Sequence, residues 1–535
     1  MPAEVSFTAL TPLSFLERSA QVYPEKIAII HGECRLSYRE FAAHAQQLAS
    51  ALHASGIAPG DRVAYLCPNI PEMLIAHFAV PLAGAVLVAI NNRLASEEIR
   101  YICDHSGAKL LFVDTELHPV LEPLAGRLAS VREIVSVDGA GVASRVAGPS
   151  YADFLHRGAG GKYLPWKVDD EYRTICLNYT SGTTGRPKGV MYTHRGAYLN
   201  ALGEIIHCTF TPETVYLWTL PMFHCNGWCM PWAVTGIGAS HICLRQVRAQ
   251  TIWDALTTQA VTHLAGAPTV LSTMANAPQA QRLGRELVVT TAGAPPSPTI
   301  IAQMEKLGAR VVHVYGLTEV YGPYTVCQWQ PRWADEEVAD RARKLARQGV
   351  AMLIADPIRV VDERMCDVPR DGRTIGEVVM HGNNVMAGYF NDPEATNKAF
   401  HGGYFHSGDL AVWHPDGYIE LRDRAKDIII SGGENISTIE VEQAIVGHPA
   451  VLEAAVIGVP DDRWGERPKA FVVLKHDQQV AAQELIDHCK RVIARFKAPD
   501  FIEFVEELPK TSTGKLQKFA LRERERSAGR HHIKD

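Results

Sequence analysis

Apolar runs of strand length alternate along most of the chain with stretches that have the periodicity of amphipathic helices. Ser37-x-x-Glu40 forms a capping box at the start of one such helix. This alternation is typical of parallel sheets covered by helices, in which ligand-binding loops follow the carboxyl ends of the strands. The pattern predicts strands at 28–30, 62–66, 85–89, 110–113, 174–177, 287–290 and 311–314, and helices at 71–78, at 96–104 and after an N-cap at Ser297.

The pattern changes after about Asp409. Asp416-Gly417 is typical of a hairpin turn, and the charged segment 422–427 predicts an exposed linker. We therefore expect an α/β fold with a large N-terminal domain of helix-flanked parallel and mixed sheets, residues 1–423, and a small, mobile C-terminal α+β domain, residues 424–535. The small domain is predicted from strands at 428–430, 454–457, 470–474 and 501–505 and helices at 439–446 and 482–494.

Composition narrows the class of protein. The chain has 535 residues, enough for about three or four domain-sized units, and 47% are hydrophobic, as in an ordinary globular protein. A net charge of -6 gives no general attraction for nucleic acid, so no nucleic-acid partner is expected. The longest apolar stretches, such as 76–90, are too short to cross a bilayer, so no integral membrane association is expected.

The number and spacing of the cysteines indicate the cellular compartment. Eleven scattered cysteines without an apolar signal-peptide segment after Met1 favour reduced thiols and a cytoplasmic location. The C-terminal His532-Ile533-Lys534-Asp535 is not a peroxisomal address.

A phosphate-binding loop is predicted directly after the strand at 174–177. The string Tyr179-Thr180-Ser181-Gly182-Thr183-Thr184-Gly185-Arg186-Pro187-Lys188-Gly189 combines glycines, hydroxyls and cations. Such a loop can surround phosphate oxygens with backbone N–H groups and hydroxyls, with Lys188 as a point charge. It lacks the spacing of a Walker A loop. The glycines alone would favour a surface turn; the complete string favours phosphate binding.

The complete string resembles the phosphate loop of the adenylate-forming enzymes, which include acyl-CoA synthetases, aryl-CoA ligases, firefly luciferase and the adenylation domains of peptide synthetases. The resemblance runs from about Thr11 to Ala520. It implies that residues 180–184 and Lys188 hold the phosphates of ATP, with Thr180 also at the reaction centre.

A nucleotide site is predicted where the strand at 311–314 ends. In Tyr315-Gly316-Leu317-Thr318-Glu319, the tyrosine offers a face for a base, the threonine a hydrogen bond to phosphate and the glutamate an oxygen ligand for Mg²⁺. A strand-to-helix turn with an acidic start is the alternative. The family resemblance favours the nucleotide site and adds Gly293-Ala294-Pro295 for adenine, with Asp409 and Arg424 for the ribose. Asp409 follows Ser407, where the family more often has threonine.

A catalytic lysine is predicted near the C-terminus. Lys515 matches the catalytic lysine of the family and, with Mg²⁺, would stabilise charge as a carboxylate attacks the α-phosphorus. A solvated basic loop is the alternative. The resemblance also implies that the small domain rotates about Lys426. Rotation would replace Lys515 by Ser431-Gly432-Gly433-Glu434, whose glycines let the backbone approach the pantetheine arm of coenzyme A.

The acid is expected to contact the segment Phe223-His224-Cys225-Asn226-Gly227-Trp228-Cys229. A metal site at His224, Cys225 and Cys229 is disfavoured because a fourth ligand at a usual spacing is missing. By family analogy His224 gates the acyl site, and it stands where amino-acid-activating relatives have aspartate, which favours an uncharged substrate tail. The predicted acyl pocket comprises His224, Cys225, Asn226, Trp228, Gly293, Gly316, Val320 and Tyr321.

Taken together, the resemblance implies an acid–thiol ligase that forms an acyl-adenylate from ATP and then an acyl-CoA thioester. The bulk of Trp228 and of Val320-Tyr321 favours a short or medium-chain fatty acid or a small aryl or thioether acid, and the segment resembles that of methylmercaptopropionate-CoA ligases. Expected ligands are ATP, Mg²⁺ and coenzyme A, and a homodimer is left open. The alternatives are an adenylating enzyme that loads a carrier protein and a catalytically silent nucleotide-binding relative.

Overall fold

The computed structural model describes residues 6–138, 141–180, 186–424, 426–432, 434–461, 463–511 and 516–531. Two large mixed sheets form the N-terminal domain. The first has seven strands, and the five that follow Gly189–Thr193 in its spatial order are mutually parallel. Its order is Gly388–Tyr389, Gly189–Thr193, Thr174–Tyr179, Val86–Ala89, Arg62–Leu66, Leu110–Asp114 and Glu133–Val137.

The second sheet has nine strands, with a parallel centre and antiparallel strands at both edges. Its parallel strands end on the same side, so the loops that follow them converge. Its order is Val350–Ala351, Gly322–Val326, Ala309–Leu317, Leu287–Thr291, His263–Gly266, Val215–Trp218, Ser240–Cys243, Ile27–His31 and Cys34–Ser37.

Helices cover both sheets, and the main core lies where two of them, Tyr38–Ala54 and Pro71–Leu82, pack together. The capping box of Ser37 and Glu40 is present as predicted. Alternate residues of strand Arg62–Leu66 enter different cores, so both faces of this sheet are buried. The other helices of this domain are Leu13–Val22, Ser96–Ser106, His118–Leu121, Tyr151–His156, His194–His207, Met230–Gly236, Ala249–Thr258, Pro268–Ala275, Pro298–Lys306, Val338–Leu345 and Pro393–Ala399.

A four-stranded antiparallel sheet completes the large domain and leads to the linker. Its strands are Arg359–Val361, Ile375–Met380, Phe405–Trp413 and Ile419–Arg424, and Gly417 turns the last hairpin with φ +88°. The predicted exposure of the whole segment 422–427 is wrong at Asp423, which is 3% exposed. Its carboxylate accepts bonds from the N–H and Oγ1 of Thr438, at 2.6 Å each, and therefore fastens the start of the next helix.

The C-terminal domain is α+β, as predicted, with its own apolar core. Its sheet contains Glu434–Ile436, Ile429–Ser431, Gly465–Leu474, Val451–Asp461 and Phe501–Phe504, and its helices are Thr438–Val446, Ala482–Val492 and Lys518–His531. The predicted α/β fold class is thus confirmed. Among all the described residues of both domains, no helix is both long and apolar enough to cross a membrane.

Candidate active site

A cavity of about 630 Å³ lies where loops of both large sheets face the small domain. Several widely separated sequence segments contribute to its wall, and most of them directly follow parallel strands. The large domain supplies Thr180, Phe223, His224, Cys225, Gly293, Ala294, Pro295, Tyr315, Gly316, Thr318, Asp409 and Arg424. The linker and the small domain supply Lys426, Glu442, Lys510, Thr511, Leu516, Lys518 and Arg522.

Tyr315, Asp409 and Arg424 form a bonded group in this wall. The Tyr315 hydroxyl donates to Asp409 Oδ2 at 2.8 Å, and Arg424 Nε lies 3.2 Å from Asp409 Oδ1. Asp409 and Arg424 are register partners in adjacent strands, so the hairpin itself brings them together. Burial, and then the Asp409 carboxylate, raise the pKa of Tyr315, which therefore stays protonated and continues to donate.

Ser407 supports Asp409 although it replaces a commoner threonine. Its hydroxyl donates to the carbonyl of Val378 at 2.6 Å and accepts from the N–H of Asp409 at 3.1 Å. Because a serine hydroxyl can make both bonds, the substitution leaves the backbone at Asp409 anchored.

Gly293 follows strand Leu287–Thr291 and turns the chain into the cavity wall with φ +91°. This left-handed conformation strains any residue with a Cβ. A Cβ at Gly293 would have no heavy atom within 4 Å, so the glycine opens onto free space. Gly293 thus presents backbone to the cavity without a projecting side chain, and Ala294 and Pro295 continue the wall.

The predicted phosphate loop joins two antiparallel strands. The N–H of Thr180 donates to the carbonyl of Lys188 at 3.0 Å, and the N–H of Lys188 donates to Thr180 Oγ1 at 3.3 Å, so the base of the loop is closed. Ser181, Gly182, Thr183 and Thr184 lie outside the described residues. Thr180 lines the cavity, and the loop therefore begins at its wall.

Glu319 and Lys188 both contact Tyr389, which sequence analysis did not identify. The Tyr389 hydroxyl donates to Glu319 Oε1 at 2.9 Å, and Lys188 Nζ lies 4.7 Å from the centre of the same ring. One carboxylate together with phosphate oxygens and water is an ordinary ligand set for Mg²⁺, so Glu319 beside Thr318 fits a metal that arrives with the nucleotide. The strand Gly388–Tyr389 is too short to show a periodic pattern, so it could not be predicted from the sequence.

His224 and Cys225 line the cavity, and an unusual backbone follows them. Residues 225–229 all have positive φ, from +41° at Asn226 to +63° at Cys229, and form a left-handed turn. Left-handed helical residues other than glycine cost about 1–2 kcal/mol each. Cys225 Sγ lies 3.4 Å from Thr318 Oγ1, which links this turn to the nucleotide segment. Within the described ranges, no group of three or more His, Cys, Asp and Glu side chains is placed to hold a metal.

Four other residues of the predicted acyl pocket are buried in tightly packed surroundings. Asn226, Trp228, Val320 and Tyr321 are at most 3% exposed and are absent from the cavity wall. A Cβ at Gly322 would lie 2.8 Å from the Trp228 ring, so this indole occupies the space beside the strand that follows Tyr321. Gly316 and Gly293 do face the cavity. The cavity therefore does not extend to Asn226, Trp228, Val320 or Tyr321.

The small domain presents one of its two predicted catalytic loops to the cavity. Lys515 lies outside the described residues, but Lys510, Thr511 and Leu516 on either side of it line the wall. Lys510 and Leu516 form an isolated β-bridge, so the loop between them starts and returns at the cavity.

The other predicted loop, Ser431 to Glu434, is absent from the wall. The N–H of Gly432 donates to the carbonyl of Trp464 at 2.7 Å, and a Cβ at Gly432 would lie 2.7 Å from the Trp464 ring. Gly433 lies outside the described residues. The described residues at the ends of the loop that contains Lys515 therefore line the cavity, and the described residues of the glycine loop do not.

Sequence analysis also did not predict a buried ionic cluster next to the linker. Lys518 Nζ lies 2.8 Å from Glu442 Oε1 and donates to Thr438 Oγ1, which in turn donates to Asp423. Burial would lower the pKa of Lys518, but the carboxylates of Glu442 and Asp423 outweigh it and raise that pKa, so the ammonium stays charged. The cluster fixes how the small domain meets the strand that precedes Lys426. A single lysine in a polar sequence gives no signal for such a role.

Comparison with known proteins places these residues in a family context. The model of the AMP-binding enzyme family matches residues 16–390, and that of the AMP-binding enzyme C-terminal domain matches residues 440–515. An acetate–CoA ligase of Humulus lupulus is 44% identical over 98% of this chain and 96% of its own length. A peroxisomal acetate/butyrate–CoA ligase of Arabidopsis thaliana is 44% identical over the same shares.

A solved structure shows the same arrangement of the chain. The crystal structure of an anthranilate CoA ligase in complex with anthranoyl-AMP superposes with a TM-score of 0.87 and 26% identity, over 99% of this chain and 100% of the other.

Proposed function

Because the chain belongs to the AMP-binding enzyme family, we propose that it is an ATP-dependent acyl-CoA ligase for short-chain carboxylic acids. In the first step a carboxylate oxygen attacks the α-phosphorus of ATP, and the bond from that phosphorus to pyrophosphate breaks. In the second step the thiol sulfur of coenzyme A attacks the acyl carbon, its proton is lost, and the bond to AMP breaks. The observation that carries the proposal is the single cavity in which Tyr315, Thr318, Asp409 and the ends of the Lys515 loop meet.

We propose a role for each predicted site residue, and those that line this cavity support the assignment. Tyr315 and Gly293–Pro295 bind adenine, Asp409 and Arg424 bind the ribose, and the 180–184 loop with Lys188 binds the phosphates. Gly316, Leu317 and Thr318 continue the nucleotide site. Mg²⁺, held by Glu319, neutralises phosphate charge when bound. Lys515 stabilises the charge that builds on the α-phosphate during attack.

The second step requires a different loop at the same place. In our proposal, rotation about Lys426 exchanges the Lys515 loop for Ser431–Glu434, and His224 moves aside to admit the pantetheine arm. Lys426 lies at the cavity and is exposed, so a change in its backbone angles would meet little resistance from packing. Burial of part of its side chain, and then Arg424, lower its pKa.

A short acid is supported by packing. Trp228, Val320 and Tyr321 are buried outside the cavity wall, and the Trp228 ring packs against Gly322, which leaves little room beside them for a long chain. The two plant relatives are named for acetate and butyrate. Small thioether and aryl acids belong to the same proposal because they too have uncharged tails of limited length.

A pyrophosphate-release screen tests the proposal. Purified protein with ATP, Mg²⁺ and coenzyme A should release pyrophosphate with acetate, propionate or butyrate, or with a small thioether or aryl acid, and should form the matching thioester. Offering a phosphopantetheinylated carrier protein in place of coenzyme A tests the carrier-loading alternative. No pyrophosphate with any acid of these classes would refute the activity and favour a silent nucleotide-binding protein.

The location that we propose is the cytoplasm. All eleven cysteines lie in described residues and are free thiols, which supports a reducing compartment. The Arabidopsis relative is named as peroxisomal. Fluorescent fusions at each terminus, imaged beside a peroxisomal marker, distinguish the two compartments.

A further inference from the structure

Tyr389 contacts the two charged side chains on which phosphate and metal binding depend. Its hydroxyl is 2.9 Å from Glu319 Oε1, and its ring centre is 4.7 Å from Lys188 Nζ. The two contacts use different parts of the phenol, its polar hydroxyl and its electron-rich face, so both can persist together. The side chain is 8% exposed, whereas Lys188 is exposed.

The backbone around Tyr389 is fastened to both motifs. Strand Gly388–Tyr389 pairs with Gly189–Thr193, directly after Lys188, and the N–H of Phe390 donates to the carbonyl of Gly189 at 2.7 Å. The N–H of Met386 donates to the carbonyl of Glu319 at 2.7 Å. One short segment therefore joins the phosphate loop to the glutamate that follows the nucleotide strand.

The helix behind this segment fixes the direction of the tyrosine. The N–H of Tyr389 donates to Thr396 Oγ1 at 2.9 Å, and a Cβ at Gly388 would lie 2.9 Å from Thr396 Cγ2. Helix Pro393–Ala399, capped by Asp392, thus supports Tyr389 from behind.

We propose that Tyr389 is a positioning residue for the nucleotide–metal complex: its hydroxyl orients the Glu319 carboxylate, and its ring orients the Lys188 ammonium. A neutral side chain suits this task, because it holds a cation and an anion without cancelling either charge. The inference rests on the proposed function, in which Glu319 binds Mg²⁺ and Lys188 binds phosphate.

Two substitutions separate the contacts. Tyr389→Phe removes the hydroxyl and keeps the ring, whereas Tyr389→Leu removes both. Titration calorimetry with Mg·ATP and with ATP in EDTA measures binding without any reaction. Tyr404→Phe is the matched control, because Tyr404 also carries a cation on its ring, Arg359 at 5.1 Å, but this pair belongs to the four-stranded sheet, at strands Arg359–Val361 and Phe405–Trp413, and includes neither Glu319 nor Lys188.

We expect Tyr389→Phe to weaken Mg·ATP binding about 10- to 100-fold, the effect of losing a hydrogen bond to a charged group, and to leave binding of metal-free ATP unchanged. Tyr389→Leu should also weaken metal-free ATP binding, about two- to fivefold, because the cation loses its ring. The control should match the wild type in both titrations. Equal loss of Mg·ATP and metal-free ATP binding in Tyr389→Phe, or no loss of either, would overturn the proposal.

A double variant distinguishes a specific effect on Glu319 from general damage to the fold. If the hydroxyl acts through Glu319, then Tyr389→Phe combined with Glu319→Gln should bind Mg·ATP no more weakly than Glu319→Gln alone; additive losses would contradict the proposal. Failure of the proposed function has a different signature, because wild-type protein would then release no pyrophosphate with any acid even if the binding results held.

Discussion

Glu204 is a carboxylic acid enclosed by the large domain, near the end of helix His194–His207. It is 0% exposed, its Oε2 lies 3.3 Å from Cys208 Sγ, and its Oε1 has no hydrogen-bond partner in the described part of the chain. Burial raises its pKa from 4.5 to about 8. The side chain is therefore neutral in the folded protein at pH 7, whereas it is ionised in the unfolded chain.

This difference predicts a loss of stability with rising pH. Between pH 4.5 and 8 the folded state keeps a proton that the unfolded state has released, so the free energy of unfolding falls by up to ~1.4 kcal/mol per pH unit. Glu204→Gln mimics the neutral acid and should remove this slope. Denaturant unfolding from pH 7 to 8 measures it, because buried histidines such as His241, whose pKa burial lowers from 6.5 to about 3, have then largely lost their protons in the unfolded chain as well. Parallel curves for variant and wild type would contradict the assignment.

Trp228 carries a second prediction at the scale of one side chain. Trp228→Ala should open the packed space beside Gly322 and shift the ratio of kcat/KM for hexanoate over acetate upward by about tenfold or more, because each extra methylene accommodated is worth about 10-fold or more. Trp228→Phe should give a smaller shift. Pyrophosphate release with a series of straight-chain acids measures the ratio. A uniform loss for all acids would show that the indole supports the fold without limiting chain length.

At the scale of an element, the left-handed turn at 225–229 combines strain with an unsatisfied side chain. Asn226 has φ +41° and is fully buried, and among the residues that the structure describes neither its Oδ1 nor its Nδ2 has a hydrogen-bond partner. Its N–H donates to Asn178 Oδ1 at 3.1 Å, so the backbone of the turn is tied to the strand that leads into the phosphate loop. Such a costly arrangement beside a cavity is typical of functional sites.

The turn should become more stable when its strain is relieved. Asn226→Gly removes the Cβ from a left-handed position and also removes the unsatisfied carboxamide, so we expect a gain of about 1 kcal/mol in the free energy of unfolding. Asn226→Ala keeps the Cβ and is the matched control, with a smaller gain or none. Denaturant unfolding with matched activity assays measures both effects. A glycine variant less stable than the alanine variant would show that the side chain packs favourably.

Sequence patterns predicted elements of regular periodicity well. The strands at 62–66 and 174–177 and the Ser37 capping box lie where expected, because short continuous apolar runs and helix capping are local properties of the sequence. The left-handed turn has no such pattern, since cysteine, asparagine and tryptophan rarely adopt positive φ. Sequence analysis did not identify Tyr389, because its two partners, Lys188 and Glu319, contact it only in the folded chain.

At the scale of the whole molecule, the small domain closes the cavity with the ends of the Lys515 loop. It is held to the preceding strand by Asp423, Thr438 and the Lys518–Glu442 pair. Motif matching predicted which loops belong to the site. It could not predict which loop faces the cavity, because that depends on the relative position of the two domains.

One substitution tests whether the Lys515 loop serves adenylation and the glycine loop serves thioester formation. Lys515→Ala should abolish acid-dependent exchange of pyrophosphate into ATP, because the charge on the α-phosphate loses its cation, and should largely spare thioester formation from supplied acyl-adenylate. Lys490→Ala is the control, since Lys490 is exposed on helix Ala482–Val492 of the small domain and is absent from the cavity wall. Equal loss of both half-reactions in Lys515→Ala would refute separate roles for the loops.

The shared wall of the cavity has a consequence for the reactive intermediate. An acyl phosphate anhydride is open to attack by water, and a compartment bounded by both domains can shelter it until the thiol arrives. Lys518→Met removes the ion pair with Glu442 that helps to hold the small domain in place. Water should then reach the acyl-adenylate, and the enzyme should hydrolyse ATP to AMP slowly without forming thioester. Leakage of AMP without thioester would thus report how well the two domains fit together.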